Sequence, residues 1–344
     1  TSETIALGGD INGSSTILLQ PYADSTTIGI GGTDATGTYN LTATEIGYLQ
    51  DGFTGITIGH ESGIGAVEIK SVTFKAPVTI RTKTTGGGTI TVAEAIACTG
   101  DASFEIIGAN ATTNLNANIV TEGESITIND SVVLGAATIT LNTTDDGQTA
   151  GANIEITGTT NSTGGARNLT LNAGTAGEIT FGGAVGNSAV LDTITITNSN
   201  GTTFSGSVEA ATVEITDTED GETILFQDDV TITTGLTTTD NAYNISFIGD
   251  NTTIQGPTTF LNTGTLTLGD YVDDTITFTG GMNFEALDSV ILIGTISAQN
   301  SDITFENITL SGNLDLDVGT GDIALNGTIS AANYNITLTA NSIT

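Results

Sequence analysis

Three short blocks between residues 178 and 234 share one pattern that recurs at a nearly constant spacing. Each block holds a phenylalanine followed four residues later by a valine, and the phenylalanines are 23 and then 22 residues apart. The pairs are Phe181 with Val185, Phe204 with Val208, and Phe226 with Val230. A period of this size is typical of a stacked solenoid, in which each repeat contacts only its neighbours. We therefore expect these six side chains to be buried, each stacked on its counterpart in the next coil.

The segments between the blocks indicate that each repeat is a β-coil. Residues 192–197 and 211–216 alternate apolar and polar side chains and are rich in β-branched residues, a pattern typical of strands. Phenylalanines recur less regularly at 260, 278 and 305. At roughly 22 residues per coil, 344 residues predict about fifteen coils. We expect residues 1–344 to form a single elongated domain, with distinctive N-terminal coils over 15–82 and Phe-led repeats over 178–344.

One short helix is expected beside these coils. Residues 42–49 are the single plausible helical stretch, in which Thr42 and Glu45 have the spacing of a capping box. Ile46 and Leu49 would then share the buried face of the helix.

Charge restricts the partners of the chain. Five lysines and arginines stand against 39 aspartates and glutamates, which gives a formal net charge of −34. Nucleic acid requires a basic surface, so we expect no nucleic-acid binding, and anionic lipid is disfavoured for the same reason. No apolar run reaches 18 residues, so no membrane span is predicted. Cys98 is the only cysteine, which excludes an internal disulfide.

Residues 15–82 and 178–234 resemble the repeats of filamentous-haemagglutinin-type exoproteins, bacterial adhesins exported by two-partner secretion. The resemblance is carried by a block like 17–82 and by the Phe-Gly-Gly-Ala-Val and Thr-Phe-Ser-Gly-Ser-Val units. It implies an all-β fold, a right-handed parallel β-helix, located outside the cell or on the bacterial surface. The Asn-Pro-Asn motifs of the family's N-terminal secretion domain do not occur in this sequence. We therefore expect the chain to be a processed product or a fragment.

The function predicted from these features is structural and adhesive, with surface glycans of a host or a neighbouring cell as candidate partners. The alternative is a carbohydrate-active β-helix enzyme, a polysaccharide lyase or hydrolase, because the same fold hosts both. Such an enzyme needs clustered Asp with Arg, Lys or His. The only histidine, His60, lies in a predicted turn, and Arg81 and Arg167 are 86 residues apart. We expect no catalytic residues and no enzymatic activity.

Two acidic turns are candidate Ca²⁺ sites, and Ca²⁺ is the only cofactor considered. Asp217 and Asp220 belong to one turn, and Asp270 and Asp273 to the other. Ca²⁺ takes six to eight oxygen ligands, and neither turn matches an EF-hand loop, so solvated corners are the favoured interpretation. Asn-x-Ser/Thr sequons also occur, and five are candidate glycosylation sites on exposed corners, namely Asn110, Asn142, Asn200, Asn251 and Asn307.

The ends of the predicted coil stack suggest self-association. Residues 335–344 keep the strand pattern to the last residue, and the sequence contains no convincing cap. An open coil presents unpaired backbone groups that can pair with another chain. We therefore expect copies to associate end to end through their terminal coils, forming a filament.

Overall fold

The computed structural model describes residues 5–33, 36–284, 287 and 289–344, without the side chains of 109–111. The chain divides into two compact units, Thr1–Gly183 and Ala184–Thr344. Each unit is a parallel β-solenoid, and the chain has about 13 stacked coils of about 22 residues. The predicted all-β parallel β-helix is therefore confirmed, whereas the prediction of a single domain over 1–344 stays a prediction.

The described part of unit 1 contains 17 strands, one α-helix and one 3-10 turn. They are β1 Thr16–Leu19, β2 Ile28–Ile30, β3 Tyr39–Leu41, α1 Ala43–Gly47, β4 Gly55–Ile58, β5 Val67–Ile69, β6 Val72–Phe74, β7 Val78–Arg81, β8 Ile90–Val92, β9 Ile96–Cys98, β10 Phe104–Leu115, β11 Ile119–Thr121, β12 Ile126–Leu134, β13 Thr138–Asn142, the 3-10 turn Asp145–Gly147, β14 Ile154–Ile156, β15 Thr160–Ser162, β16 Asn168–Asn172 and β17 Ile179–Phe181.

These strands stack in parallel into three faces. The first face runs β1, β4, β7, β10, β12, β14, β17. The second runs β3, β2, β5, β8, β10, β12, β15, because the long strands β10 and β12 bend from one face into the next. The third runs β6, β9, β11, β13, β16. Strand β12 shows why the stack forms. Its residues alternate strictly between buried and half-buried, so its buried apolar side chains all lie inside the coil, where they are removed from water.

Helix α1 has the predicted capping box. Thr42 Oγ1 accepts a hydrogen bond from the Glu45 backbone N–H, and the Glu45 carboxylate accepts one from the Thr42 backbone N–H. Ile46 and Leu49 are buried as expected. The helix packs against β6 and β3, and the Lys75 ammonium donates to the carbonyl of Gly47 at its C-terminal end. It therefore covers the edge of β6, the strand that begins the third face, a cap that the sequence analysis did not identify.

The described part of unit 2 contains 18 strands. They are β18 Leu191–Asn198, β19 Thr202–Phe204, β20 Val208–Ile215, β21 Thr223–Phe226, β22 Val230–Thr237, β23 Asn244–Phe247, β24 Asn251–Ile254, β25 Thr258–Thr259, β26 Thr265–Leu268, β27 Thr275–Phe278, β28 Met282–Asn283, β29 Ser289–Ser297, β30 Ile303–Phe305, β31 Ile308–Asp317, β32 Asp322–Leu325, β33 Ile329–Ser330, β34 Ile336–Thr339 and β35 Ser342–Ile343.

Unit 2 is also built from three parallel faces. One runs β19, β21, β23, β26, β29, β31, β33, and a second runs β20, β22, β24, β27, β29, β31, β34. The third starts with β18, β20, β22, β25 and β28, and β30, β32 and β35 form a separate parallel sheet. Among the described residues of both units, no helix is long and apolar enough to cross a membrane.

The core of unit 2 contains the predicted aromatic ladder. Phe204 pairs with Phe226 in register, and their rings stack at 4.9 Å with an interplanar angle of 3°. Phe226 stacks in turn on Phe247 at 4.7 Å and 4°. All six side chains of the Phe and Val pairs are buried, with at most 1% exposed. The predicted burial is therefore confirmed, and Phe247 extends a stack that the sequence analysis ended at Phe226.

Coil length is less uniform than the 22-residue period predicts. Ile56 pairs with Val78 and Phe104 with Ile126, both 22 residues apart, but Ile126 pairs with Ile154, 28 residues on. The extra residues form a corner that includes the 3-10 turn Asp145–Gly147. Longer corners of this kind explain why about 13 coils are found and not fifteen.

Candidate functional site

A shallow open groove on unit 2 is lined almost entirely by hydroxyl and amide side chains. Its volume is about 220 Å³, and it is formed by Thr223, Asn244, Ile245, Ser246, Thr265 and Thr267. The polar residues belong to β21, β23 and β26 and point outward, because the alternate residues of these strands are buried. Ser246 stands in register with Thr267, which places their hydroxyls on neighbouring rungs.

Asn244 holds the rungs of this groove in place. Its amide Nδ2 donates to the carbonyl of Gly221 at 2.7 Å, and its Oδ1 accepts from the Thr265 backbone N–H at 2.8 Å. The amide therefore ties three successive coils together. The hydroxyls of Ser246 and Thr267 sit on this rigid base and are half-exposed to solvent. Such an array can exchange hydrogen bonds with a polyol without ordering itself first.

The first acidic turn, with Asp217 and Asp220, is held by local hydrogen bonds. The Asp217 carboxylate accepts from the backbone N–H of Thr218 at 2.9 Å. The Thr218 hydroxyl is buried and bonded to that of Ser199 at 2.9 Å. No group of three or more His, Cys, Asp or Glu side chains gathers into a metal-like cluster in the part of the chain that the structure describes. Ca²⁺ binding at this turn stays a prediction.

The second acidic turn is organised by a residue that the sequence analysis did not select. The Asp274 carboxylate is buried and accepts hydrogen bonds from the backbone N–H groups of Asp270 and Tyr271 at 2.8 and 2.9 Å. Asp273, its neighbour, points outward and is exposed. Partial burial, followed by the charge of Asp274, raises the pKa of Asp270. The geometry is that of a loop fastened by one carboxylate, and Ca²⁺ binding by Asp270 and Asp273 stays a prediction.

The five sequon asparagines lie in different environments. Asn251 and Asn307 are exposed, whereas Asn142 and Asn200 are half-buried. The Oδ1 atom of Asn142 accepts from the Thr144 hydroxyl of its own sequon at 2.8 Å. The side chain of Asn110 lies outside the described residues. Glycosylation of these residues stays a prediction.

His60, Arg81 and Arg167 each bond within or beside the corner on which they stand. His60 lies in a turn, where its Nδ1 accepts from the Ser62 backbone N–H at 3.0 Å and is 3.4 Å from Asp24 Oδ1. Arg81 donates from Nε to the carbonyl of Gly59. Arg167 likewise bonds to carbonyls of its own turn. These side chains therefore serve the corners on which they stand.

One buried carboxylate escaped the sequence analysis altogether. Asp130 occupies an inward position of β12 and is only 2% exposed. Burial raises its pKa to about 6, although hydrogen bonds from Thr113 and from the backbone of Ser131 oppose the shift. The alternation of residues 126–134 indicates this burial, because Asp130 lies on the same side of the strand as Ile126, Ile128, Val132 and Leu134.

Fold and surface together define a parallel β-solenoid protein with an aliphatic and aromatic interior and a polar, largely uncharged groove on one face of unit 2. No family model, no curated protein and no solved structure matches this chain. The resemblance to filamentous-haemagglutinin-type exoproteins thus stays a prediction from the sequence.

Proposed function

We propose that this chain is a structural and adhesive protein of the cell surface or extracellular space, of the kind to which its sequence bears a resemblance, and that it contacts glycans. The observation that carries the proposal is the groove of unit 2, where Ser246 and Thr267 stand in register on a base tied by Asn244. Hydroxyl and amide groups both donate and accept hydrogen bonds, as sugar hydroxyls do. Because these side chains are already held in place, they lose little conformational freedom on binding, which favours the binding of a ligand that makes only weak polar contacts.

A glycan-binding assay on the purified chain tests this proposal. The chain is immobilised and probed with a panel of neutral and acidic oligosaccharides. Thr267→Arg places a bulky side chain in the groove, and Thr253→Arg is the matched control, because Thr253 is also an outward, half-buried strand residue of unit 2. We expect binding that Thr267→Arg abolishes and Thr253→Arg retains. Equal loss in both variants, or no binding to any glycan, overturns the groove as the site.

The same assay separates adhesion from catalysis. An adhesive protein without a catalytic role leaves its ligand intact, so a bound polysaccharide is expected to keep its length during incubation. New reducing ends or unsaturated sugar products would favour the alternative of a carbohydrate-active enzyme.

We also propose that copies associate end to end. In the coil formed by β33, β34 and β35, the inward side chains stay partly open, with Ile329 40% and Ile343 50% exposed. The apolar surface left open there is lined by Ile308, Leu310, Leu314, Leu316, Leu325, Ile329, Ile336 and Leu338. Strand β1, in the first coil of unit 1, pairs only with β4 among the described strands. A second copy is the occupant that fits, since docking β1 there extends a parallel ladder and covers both edges.

Charge adds only a local attraction to this pairing, because both units carry more Asp and Glu than Lys and Arg. Residues 168–344 contain no Lys or Arg, whereas Lys70, Lys75, Arg81 and Lys83 all belong to unit 1. The attraction acts over about 8 Å at physiological salt, so backbone pairing must contribute most.

Imaging and sedimentation at micromolar concentration test the association. Ile336→Lys and Leu338→Lys charge the inward side of β34, and Thr337→Lys and Thr339→Lys charge its outward side as matched controls. We expect filaments for the native chain and for the outward controls, and monomers for the inward variants. A monomeric native chain overturns the association and leaves the glycan proposal intact.

A further inference from the structure

The groove of unit 2 continues along the stack of coils as a column of outward side chains. At its centre, Ser246 pairs with Thr267. On one side Leu225 pairs with Ser246, and on the other Thr267 pairs with Ile291. Leu225 and Ile291 are outward and half-buried, like the two hydroxyl residues between them. Four successive coils thus present an apolar, a hydroxyl, a second hydroxyl and an apolar side chain in one line.

The spacing of this column suits a linear glycan. Neighbouring strands lie about 4.7–4.9 Å apart, so the column from Leu225 to Ile291 is about 14 Å long. An extended β-1,4-linked glycan advances by a similar distance with each pyranose ring, and each ring has apolar C–H faces and hydroxyl groups at its edge. A glycan that lies along the column can therefore place ring faces on Leu225 and Ile291 while its hydroxyls bond to the groove.

The groove itself is uncharged, and the charged side chains around it are all carboxylates. None of its lining residues is charged. Glu222 directly precedes β21, and Asp228, Asp250 and Asp270 follow β21, β23 and β26 by two or three residues. All four carboxylates are exposed. Residues 168–344 contain no Lys or Arg, so no cation of unit 2 offsets these charges.

These carboxylates are close enough to repel an anion in the groove. Asp270 lies three residues after Thr267, which is about 10 Å or less along the backbone. Charges interact over about 30 Å at 0.01 M salt and about 8 Å at physiological salt. The acidic groups of a glycan also need Arg or Lys as partners for strong hydrogen bonds, and unit 2 has neither. The groove is therefore complementary to a glycan without acidic groups.

We propose that the groove binds a linear neutral polysaccharide, which lies along the stack of coils from Leu225 to Ile291, and that the surrounding carboxylates reject acidic glycans. This inference rests on the proposed glycan-binding function and names the class of glycan. Ser246 and Thr267 exchange hydrogen bonds with the sugar hydroxyls, and Leu225 and Ile291 contact the ring faces. The carboxylates act through their charge, so the rejection of acidic glycans weakens as salt screens that charge.

Pairs of oligosaccharides that differ only in charge test the rejection of acidic glycans. The probes are β-1,4-linked glucose, mannose and galactose oligosaccharides, each compared with the same oligosaccharide oxidised at C6 to its uronic acid. Affinities are measured at about 0.01 M and about 1 M salt. The double variant Asp250→Lys, Asp270→Lys reverses the charge beside the groove. The double variant Asp192→Lys, Asp315→Lys is the matched control, because both residues are exposed carboxylates on other faces of unit 2.

Alanine variants at the two ends of the column test the placement of the glycan. Leu225→Ala and Ile291→Ala each remove an apolar contact to a ring face. Leu261→Ala is the matched control, because Leu261 is an exposed apolar residue outside the strands of the groove. We expect each of the first two variants to weaken the binding of neutral oligosaccharides by about fourfold, and the control to leave it unchanged.

At about 0.01 M salt we expect the native chain to bind the neutral member of a pair about tenfold more tightly than the acidic member, and at about 1 M salt about twofold or less. Charge reversal at Asp250 and Asp270 should remove most of the low-salt difference, and the control pair should keep most of it. Acidic members that bind as tightly as neutral ones at low salt overturn the inference and leave the glycan proposal intact. So does neutral binding that neither Leu225→Ala nor Ile291→Ala weakens. Absence of binding to every oligosaccharide overturns the glycan proposal itself, and this inference with it.

Discussion

Replacing Phe226 by alanine should open the middle of unit 2 and leave distant coils intact. The Phe226 side chain is fully buried and lies between Phe204 and Phe247, with ring centroids at 4.9 and 4.7 Å. Burial alone gives a cost of about 3–5 kcal/mol for Phe→Ala in a core. Two lost ring pairs at about 0.5–1.5 kcal/mol each place the expected loss of unfolding free energy towards the upper end, about 4–5 kcal/mol.

Two further variants separate the contributions. Phe226→Leu keeps most of the volume and removes both ring pairs, so we expect a loss of about 1–3 kcal/mol. Leu225→Ala is the matched control, since Leu225 is the outward, half-buried neighbour on the same strand. Its loss should stay within about 1 kcal/mol, because little apolar surface leaves the core.

Hydrogen exchange followed by mass spectrometry is the assay. In a solenoid, contacts are nearest-neighbour, so protection should fall most in β19, β21 and β23 and little in β31. Exchange that rises equally over all 344 residues would refute the reasoning, as would a Phe226→Ala variant no less stable than Leu225→Ala.

Three other perturbations have defined outcomes. Burial raises the pKa of Asp130 to about 6 from an ordinary value of 3.8, so the free energy of unfolding should fall by about 3 kcal/mol as pH rises from about 4 to 6. Urea titrations at several pH values measure this decrease, and Asp130→Asn should remove it. Thr42→Ala should destabilise helix α1 by about 1 kcal/mol, with faster exchange at the Glu45 amide in the native buffer, whereas unchanged exchange there would count against the capping box. Asp274→Ala should speed hydrogen exchange at the Asp270 and Tyr271 amides, because both N–H groups donate to the Asp274 carboxylate, whereas exchange in β19 should not change. Exchange at these two amides that stays slow in the variant would contradict this role.

The interior of the solenoid was largely predictable from the sequence, because burial repeats with the coil. Phe204 and Phe226 could be identified from their spacing alone, and they stack as that spacing requires. The capping box of Thr42 and Glu45 was predictable for a different reason, since its hydrogen bonds span only three residues.

Features that depend on the course of the backbone through a corner could not be derived in this way. Asp130 is buried because β12 runs through a corner without changing phase, which brings it opposite Gly108 and two coils from Thr82. Likewise, Asp274 and not Asp273 fastens its loop, because the backbone direction at the end of the corner decides which carboxylate turns inward.

Helix α1 also gives the third face of unit 1 a covered edge. A helix of five residues is not stable alone, so α1 is stabilised by its capping box together with its packing against β3 and β6. Strand β6 gains a packed surface in α1, and β9, β11 and β13 each gain a finished edge in the strand before them. Because α1 covers one edge of this face, strand pairing can extend the face only on the side away from α1.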